Sequence, residues 1–173
     1  MSYTPAALRM LETLGIPLQW VTERKLQEFV EASALTLAEV EANGRKHLLT
    51  PDAARAWQQL KTAASRHGVD IFIVSAFRSV ERQAAIIEGK LASGSTIEQI
   101  VTVNAPPFFS EHHTGCAVDI GTPGSAALER EFEHTPAFAW LSANAHAFGF
   151  QLSYPLNNAN GYVYEPWHWR FTG

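Results

Sequence analysis

The chain has 173 residues, 46% of them hydrophobic and 17% charged, with a net charge of −4 and a pI near 6.0. That length fits one compact domain with a sizeable core, and the composition is unlike that of a disordered chain. The acidic balance and the lack of any Lys/Arg run argue against nucleic acid as a partner, and the single cysteine, Cys116, rules out an intrachain disulfide and a thiolate zinc cluster.

The first 47 residues read as a helical segment packed on the rest. Leu8, Leu11 and Leu14 share a face of one amphipathic helix, Leu26, Phe29 and Val30 a face of the next, and Gly15, Ile16 and Pro17 separate them. Thr36 and Glu39 have the spacing of a capping box, which predicts another short helix closed at Asn43 and Gly44. No basic stretch followed by an apolar core opens the chain, and no run reaches the ~20 apolar residues of a membrane span. The expectation is a soluble protein without a leader.

Thr50, Pro51 and Asp52 are a strong helix start, because Thr can cap, Pro suits the first helical position and Asp suits the dipole. That helix is predicted to run to about His67. Residues 69–75 follow as a strand whose apolar run, Ile71 to Val74, predicts burial on both faces. A helix is expected over 80–92, a short helix and a proline breaker over 94–110, and a strand over 116–120. A further helix is expected from Pro136 to about Phe148, ended by Gly149. Two last strands, 151–154 and 167–171, flank a polar loop. The fold class is therefore α+β: a small, antiparallel-rich sheet with flanking helices.

Three clusters at strand ends carry chemistry: Ser-Ala-Phe-Arg-Ser at 75–79, Ser-Glu-His-His-Thr-Gly-Cys-Ala-Val-Asp at 110–119, and Glu-Pro-Trp-His-Trp-Arg at 165–170. On spacing alone, a loop histidine and an ordinary strand aspartate are the plainer reading of His112 and Asp119. Asp119, however, lies between Val118 and Ile120 in an apolar strand, where an unpartnered carboxylate costs several kcal/mol, so it needs a cation or dense hydrogen bonding. Strand alternation would put His168 and Arg170 on one face and Trp167 and Trp169 on the other. Two His and one Asp suffice for catalytic zinc, which keeps a fourth position open for water, and Glu165 is the candidate general base beside it. His113 is left out as a ligand because neighbours in an extended segment point apart. His47, His67, His134 and His146 read as surface or packing residues, and Cys116 as a small apolar filler.

Ser-x-His-x-x-Gly-x-Ala-x-Asp at 110–119, followed by Glu-x-Trp-His-x-Arg at 165–170, resembles the zinc D-alanyl-D-alanine carboxypeptidases of the VanY type, in the wider lysostaphin, D-Ala-D-Ala peptidase and hedgehog group. The resemblance takes in Ser75 to Ser79 with Gln83, and Trp140-Leu141 with the segment 148–155, and so covers about 48–171. It implies a hedgehog/DD-peptidase-like fold and divides the chain into an N-terminal segment, 1–47, and a zinc peptidase catalytic domain, 48–173. It implies one zinc held by His112, Asp119 and His168, Glu165 as catalytic base, and Arg78 binding a substrate carboxylate or carbonyl oxygen. Gln83 and Ser110 would be supporting substrate contacts. The implied reaction is metal-assisted removal of the C-terminal D-alanine from a peptidoglycan stem peptide or muropeptide. The implied substrate points to the cell envelope or periplasm, and the expected lack of a leader leaves the cytoplasm as the alternative. The alternatives are an endopeptidase or endolysin acting within the stem peptide, and a non-catalytic zinc-containing binding module.

Overall fold

The computed structural model describes residues 2–173. Helix α1 (Pro5–Thr13) is capped by the Thr4 side chain and buries Ala7 and Leu11. The second helix is not where Leu26, Phe29 and Val30 would put it: α2 spans Leu18–Glu23, starting after Pro17. Lys25, at φ 51, then turns the chain out of the helix. Residues 26–30 are irregular, with Leu26 and Phe29 buried and Val30 86% exposed. Leu26 N–H still bonds back to the Val21 carbonyl at 3.1 Å, but beyond it the backbone turns to distant loops, Phe29 N–H to the Phe108 carbonyl at 2.7 Å and Ala32 N–H to the His113 carbonyl at 2.8 Å.

The expected helix at Thr36 is a strand. β1 (Thr36–Val40) pairs antiparallel with β2 (Lys46–Leu49), and Asn43-Gly44 sits in the connecting turn, where Gly44 has φ 86. Asn43 Oδ1 accepts the Arg45 N–H at 2.8 Å, and Glu41 N–H reaches the Arg45 carbonyl at 2.8 Å. An Asn-Gly pair between short β-branched and apolar runs favours a hairpin, and that pairing outweighs the capping-box spacing of Thr36 and Glu39.

From α3 onward most elements fall where the sequence predicts. α3 spans Pro51–Arg66, β3 Phe72–Ser75, α4 Val80–Ala92, α5 Ile97–Val103, β4 Ala117–Gly121, α6 Pro136–Asn144, β5 Phe150–Leu152 and β6 His168–Phe171. A 3-10 turn, Ala145–Phe148, extends α6 to Gly149. Thr50 precedes α3 but makes no capping bond through its side chain. Its hydroxyl lies 3.6 Å from Cys116 Sγ instead. The strands form an antiparallel sheet of order β3-β4-β6-β5. β3 is an edge strand and is not buried on both faces: Ile73 is fully covered while Phe72 is 36% exposed. The strand buried on every residue is β4.

One sheet face packs on α3 and α6, with Ile73, Val118, Ile120 and Trp169 meeting Trp57, Leu60 and Leu141 in one apolar cluster. A second cluster joins α1, α2, α4 and α5 through Leu11, Val21, Ile87 and Ile100, and also takes in Phe109, Tyr154 and Tyr162. The polar face of β4 and β6 lies between the two. Among the described residues no helix is long and apolar enough to cross a membrane.

Candidate metal centre

Alternation along β4 sends Val118 and Ile120 into the first cluster and leaves Asp119 on the opposite face. In β6 the same alternation buries Trp169 in that cluster and turns His168 and Arg170 the other way. Asp119 is paired in register with His168 on one side and Ser75 on the other, so the sheet itself fixes the carboxylate against the imidazole. His112 arrives on a 3-10 turn, Glu111–Thr114, capped by the Ser110 hydroxyl and closed by Gly115 at φ 65. A side chain at 115 would have its Cβ 2.9 Å from Leu35 Cδ2, so the glycine is needed for both conformation and packing.

The structure brings His112, Asp119 and His168 together, all buried, with one ligand atom from each within 4.8 Å of the others. His112 donates Nδ1–H to the Ala76 carbonyl at 2.7 Å, which leaves the Nε2 lone pair facing Asp119 Oδ2 at 3.2 Å. Burial lowers the His112 pKa, against the pull of Asp119, so the ring is held towards its neutral form. Two acceptors then face one another across 3.2 Å. A divalent cation resolves that conflict, and two imidazoles with one carboxylate suit zinc. His168 Nδ1 lies 2.9 Å from Asp119 Oδ1, and its Nε2 lies 3.0 Å from Glu111 Oε2. Burial raises the pKa of Asp119, and the hydrogen bond and charge of His168 pull it back down.

Glu165 Oε2 lies 3.9 Å from His168 Nδ1, on the cleft side of the cluster. Burial lifts its carboxyl to about 7, although His168 pulls the other way. Arg78 lines the same cleft, with Nη1 donating to Gln83 Oε1 at 2.8 Å, Nη2 to Ser75 Oγ at 2.9 Å, and Asp119 Oδ2 4.0 Å away. Burial lowers the Arg78 pKa and Asp119 and Glu165 raise it. Gln83 is 1% exposed, and its amide is engaged by Arg78 and by the Ala105 carbonyl, which accepts Nε2–H at 2.7 Å. It therefore sits behind the arginine. Ser110 lines the cleft beside His112, and the cleft, about 260 Å³, extends to Lys90, whose Nζ donates to Asn104 Oδ1 at 2.6 Å.

Sequence reasoning missed Glu111 and Tyr154. Tyr154 packs on His168 with ring centroids 4.7 Å apart. Glu111 accepts from His168, from Ser153 Oγ at 2.6 Å and from Arg170 Nη1 at 3.3 Å. Its burial would raise the carboxyl, but those partners hold it at about 2. The available signal was its place beside His112, with Arg170 two residues after His168 on the same strand face. His113 stays out of the cluster, although its segment is a 3-10 turn and not extended: Nδ1–H donates to the Arg78 carbonyl at 2.6 Å and Nε2 accepts from Phe108 N–H. His47 is buried in β2 against Glu41, at 2.7 Å. Cys116 is half-buried against the first cluster.

The sequence profile of the family described as VanY, D-alanyl-D-alanine carboxypeptidase, matches residues 46–173. A D-alanyl-D-alanine carboxypeptidase of Enterococcus faecalis (strain ATCC 700802 / V583) is 33% identical over 67% of this chain and 45% of its own length. The chain spans about half the length of the curated relatives it matches. Among solved structures, the LdcB LD-carboxypeptidase superposes with a TM-score of 0.74 at 31% identity, covering 83% of this chain and 70% of that one. A mutant of the vancomycin resistance D,D-pentapeptidase VanY from a VanB-type cassette, in complex with Zn(II), gives 0.63 at 32%, covering 85% and 81%. The fold and the family profile agree with the motifs at 110–119 and 165–170, and the chain belongs to the VanY family of D-alanyl-D-alanine carboxypeptidases.

Proposed function

We propose that this chain is a zinc-dependent carboxypeptidase that removes the terminal D-alanine from peptidoglycan stem peptides ending in D-Ala-D-Ala. The observation that carries the reading is the buried His112, Asp119 and His168 cluster with Glu165 beside it, in a cleft that Arg78 lines. Bound by those three side chains, zinc would supply a Lewis acid for the scissile carbonyl and acidify a water at its open position. Glu165, with a carboxyl lifted to about 7, is suited both to take the proton of the attacking water and to give it to the leaving amine. Arg78, its guanidinium held by Gln83 and Ser75, presents its remaining N–H groups to a carboxylate or carbonyl oxygen. Ser110 adds a hydroxyl to the cleft wall, and Gln83 acts by fixing Arg78. Arg78 and Lys90 line the cleft together with Asp119 and Glu165, and with zinc offsetting the carboxylates the two cations would be left to receive an anionic peptide. Stem peptides belong to the cell wall, so the envelope is the expected place of action.

The test is the mass of the products formed from defined stem peptides ending in D-Ala-D-Ala, with and without a chelator. Loss of a single alanine, abolished by the chelator, is the expected result. Release of a larger peptide would make the chain an endopeptidase, and no turnover despite ligand binding would make it a binding module.

A further inference from the structure

The two histidines of the cluster are oriented by different kinds of acceptor. His112 gives its distal proton to a neutral carbonyl, that of Ala76, whereas His168 gives Nε2–H to the Glu111 carboxylate at 3.0 Å. Glu111 does not line the cleft. It borders a separate cavity of about 180 Å³ behind the Tyr154 and Tyr162 rings, which wall it off from the substrate side.

Once a metal takes one nitrogen the His168 imidazole keeps a single N–H, and because the ring faces two carboxylates, which nitrogen keeps that proton is contested. Asp119 Oδ1, 2.9 Å from Nδ1, favours the proton on the nitrogen that a metal needs free. Glu111 favours it on Nε2. The position of Glu111 is fixed by two further side chains, Ser153 Oγ at 2.6 Å and Arg170 Nη1 at 3.3 Å, the latter on the same face of β6 as His168. The Ser153 N–H also donates to the His168 carbonyl at 3.3 Å. The carboxylate thus links the turn that carries His112 to the strand that carries His168.

We propose that Glu111 is a positioning residue for the metal: it holds His168 as the tautomer whose Nδ1 lone pair faces Asp119 and His112. The inference rests on the metal reading above. Outer-shell carboxylates on ligand histidines typically contribute about 10–100-fold to metal affinity, and a loss of that size is expected in Glu111→Gln and Glu111→Ala. Glu111→Asp should recover part of it.

Zinc dissociation constants for the wild type and the three variants, measured by competition with a chromophoric chelator, test this without reference to peptide turnover. Nitrogen chemical shifts of the His168 ring in the zinc-loaded wild type report the tautomer, with the proton expected on Nε2. Should Glu111→Ala fail to fold, the near-isosteric Glu111→Gln carries the comparison, and circular dichroism of each metal-free variant confirms its fold. Undiminished zinc affinity in folded Glu111→Gln, or a proton on Nδ1 of the loaded wild type, overturns the inference and leaves the metal site standing. A wild type that binds no zinc overturns the metal reading and this inference together.

Discussion

His168 has a carboxylate at each ring nitrogen, and that arrangement governs how the site exchanges a proton for a metal. Burial alone would lower its pKa, but the hydrogen bonds to Asp119 and Glu111 raise it to about 10. At pH 8 the metal-free ring is therefore charged, His112 is held towards neutral, and Glu165, at about 7, is ionised. A metal on Nδ1 must displace the His168 proton, so zinc binding at pH 8 should release about one proton and weaken about tenfold for each unit the pH falls. Calorimetry in buffers of different ionisation heat measures the release directly, and no release would contradict this account of His168. Asp119 stood out in the sequence as a carboxylate in an apolar strand, whereas His112, His168 and Glu165 became legible only through the resemblance carried by the motifs at 110–119 and 165–170. Glu111 was legible by neither route, because its role depends on a carboxylate folding back over a tight turn onto a residue 57 positions away.

The two Thr-x-x-Glu/Gln spacings in the chain had opposite outcomes. Thr96 and Gln99 form a true capping box at the start of α5, with both reciprocal bonds present. Thr36 and Glu39 lie in β1, where Glu39 instead accepts from the Trp57 indole at 3.0 Å and pairs with Lys61 at 2.9 Å. Local spacing permits either state, and the Asn-Gly hairpin with its tertiary partners decides. By contrast α4 has the predicted bounds, since Ser79 caps it and no long-range pairing competes. In the 3-10 turn that delivers His112, Gly115 combines φ 65 with contact on Leu35, Ala32 and Thr50. Gly115→Ala should cost at least about 1–3 kcal/mol from the left-handed backbone alone. It should also weaken zinc binding by displacing His112. Thermal unfolding of the metal-free proteins checks the first effect, and an unchanged Tm would show that the turn tolerates a side chain.

At the scale of the whole molecule, the site lies at the seam between two apolar clusters, and the sequence predicted only one of their sources well. Strand and helix periodicity identified the cluster around α3 and the sheet. The second cluster draws Leu11 and Leu14 from the predicted first helix, and also Ile16, Val21 and Leu26, but the helical spacing of Leu26, Phe29 and Val30 falls on an irregular stretch and misleads. Each such side chain contributes about 1.5–3 kcal/mol when fully buried, against a typical total stability of about 5–15 kcal/mol. The segment also supplies β1 to β2 and holds the metal turn through Ala32 and His113. A fragment of residues 46–173 is therefore expected to show no cooperative thermal transition, and unfolding at the full-length Tm would show that the N-terminal segment is dispensable. The central claim is that three side chains hold zinc while a fourth, Glu165, moves protons beside it. Its most direct test is zinc content and turnover of a D-Ala-D-Ala peptide, measured on the same preparations of wild type and Glu165→Ala. The expected result is about one zinc in both proteins and a loss of turnover of about 10²–10⁴-fold or more in the variant. Wild-type turnover in Glu165→Ala, or loss of its zinc, would contradict the assignment.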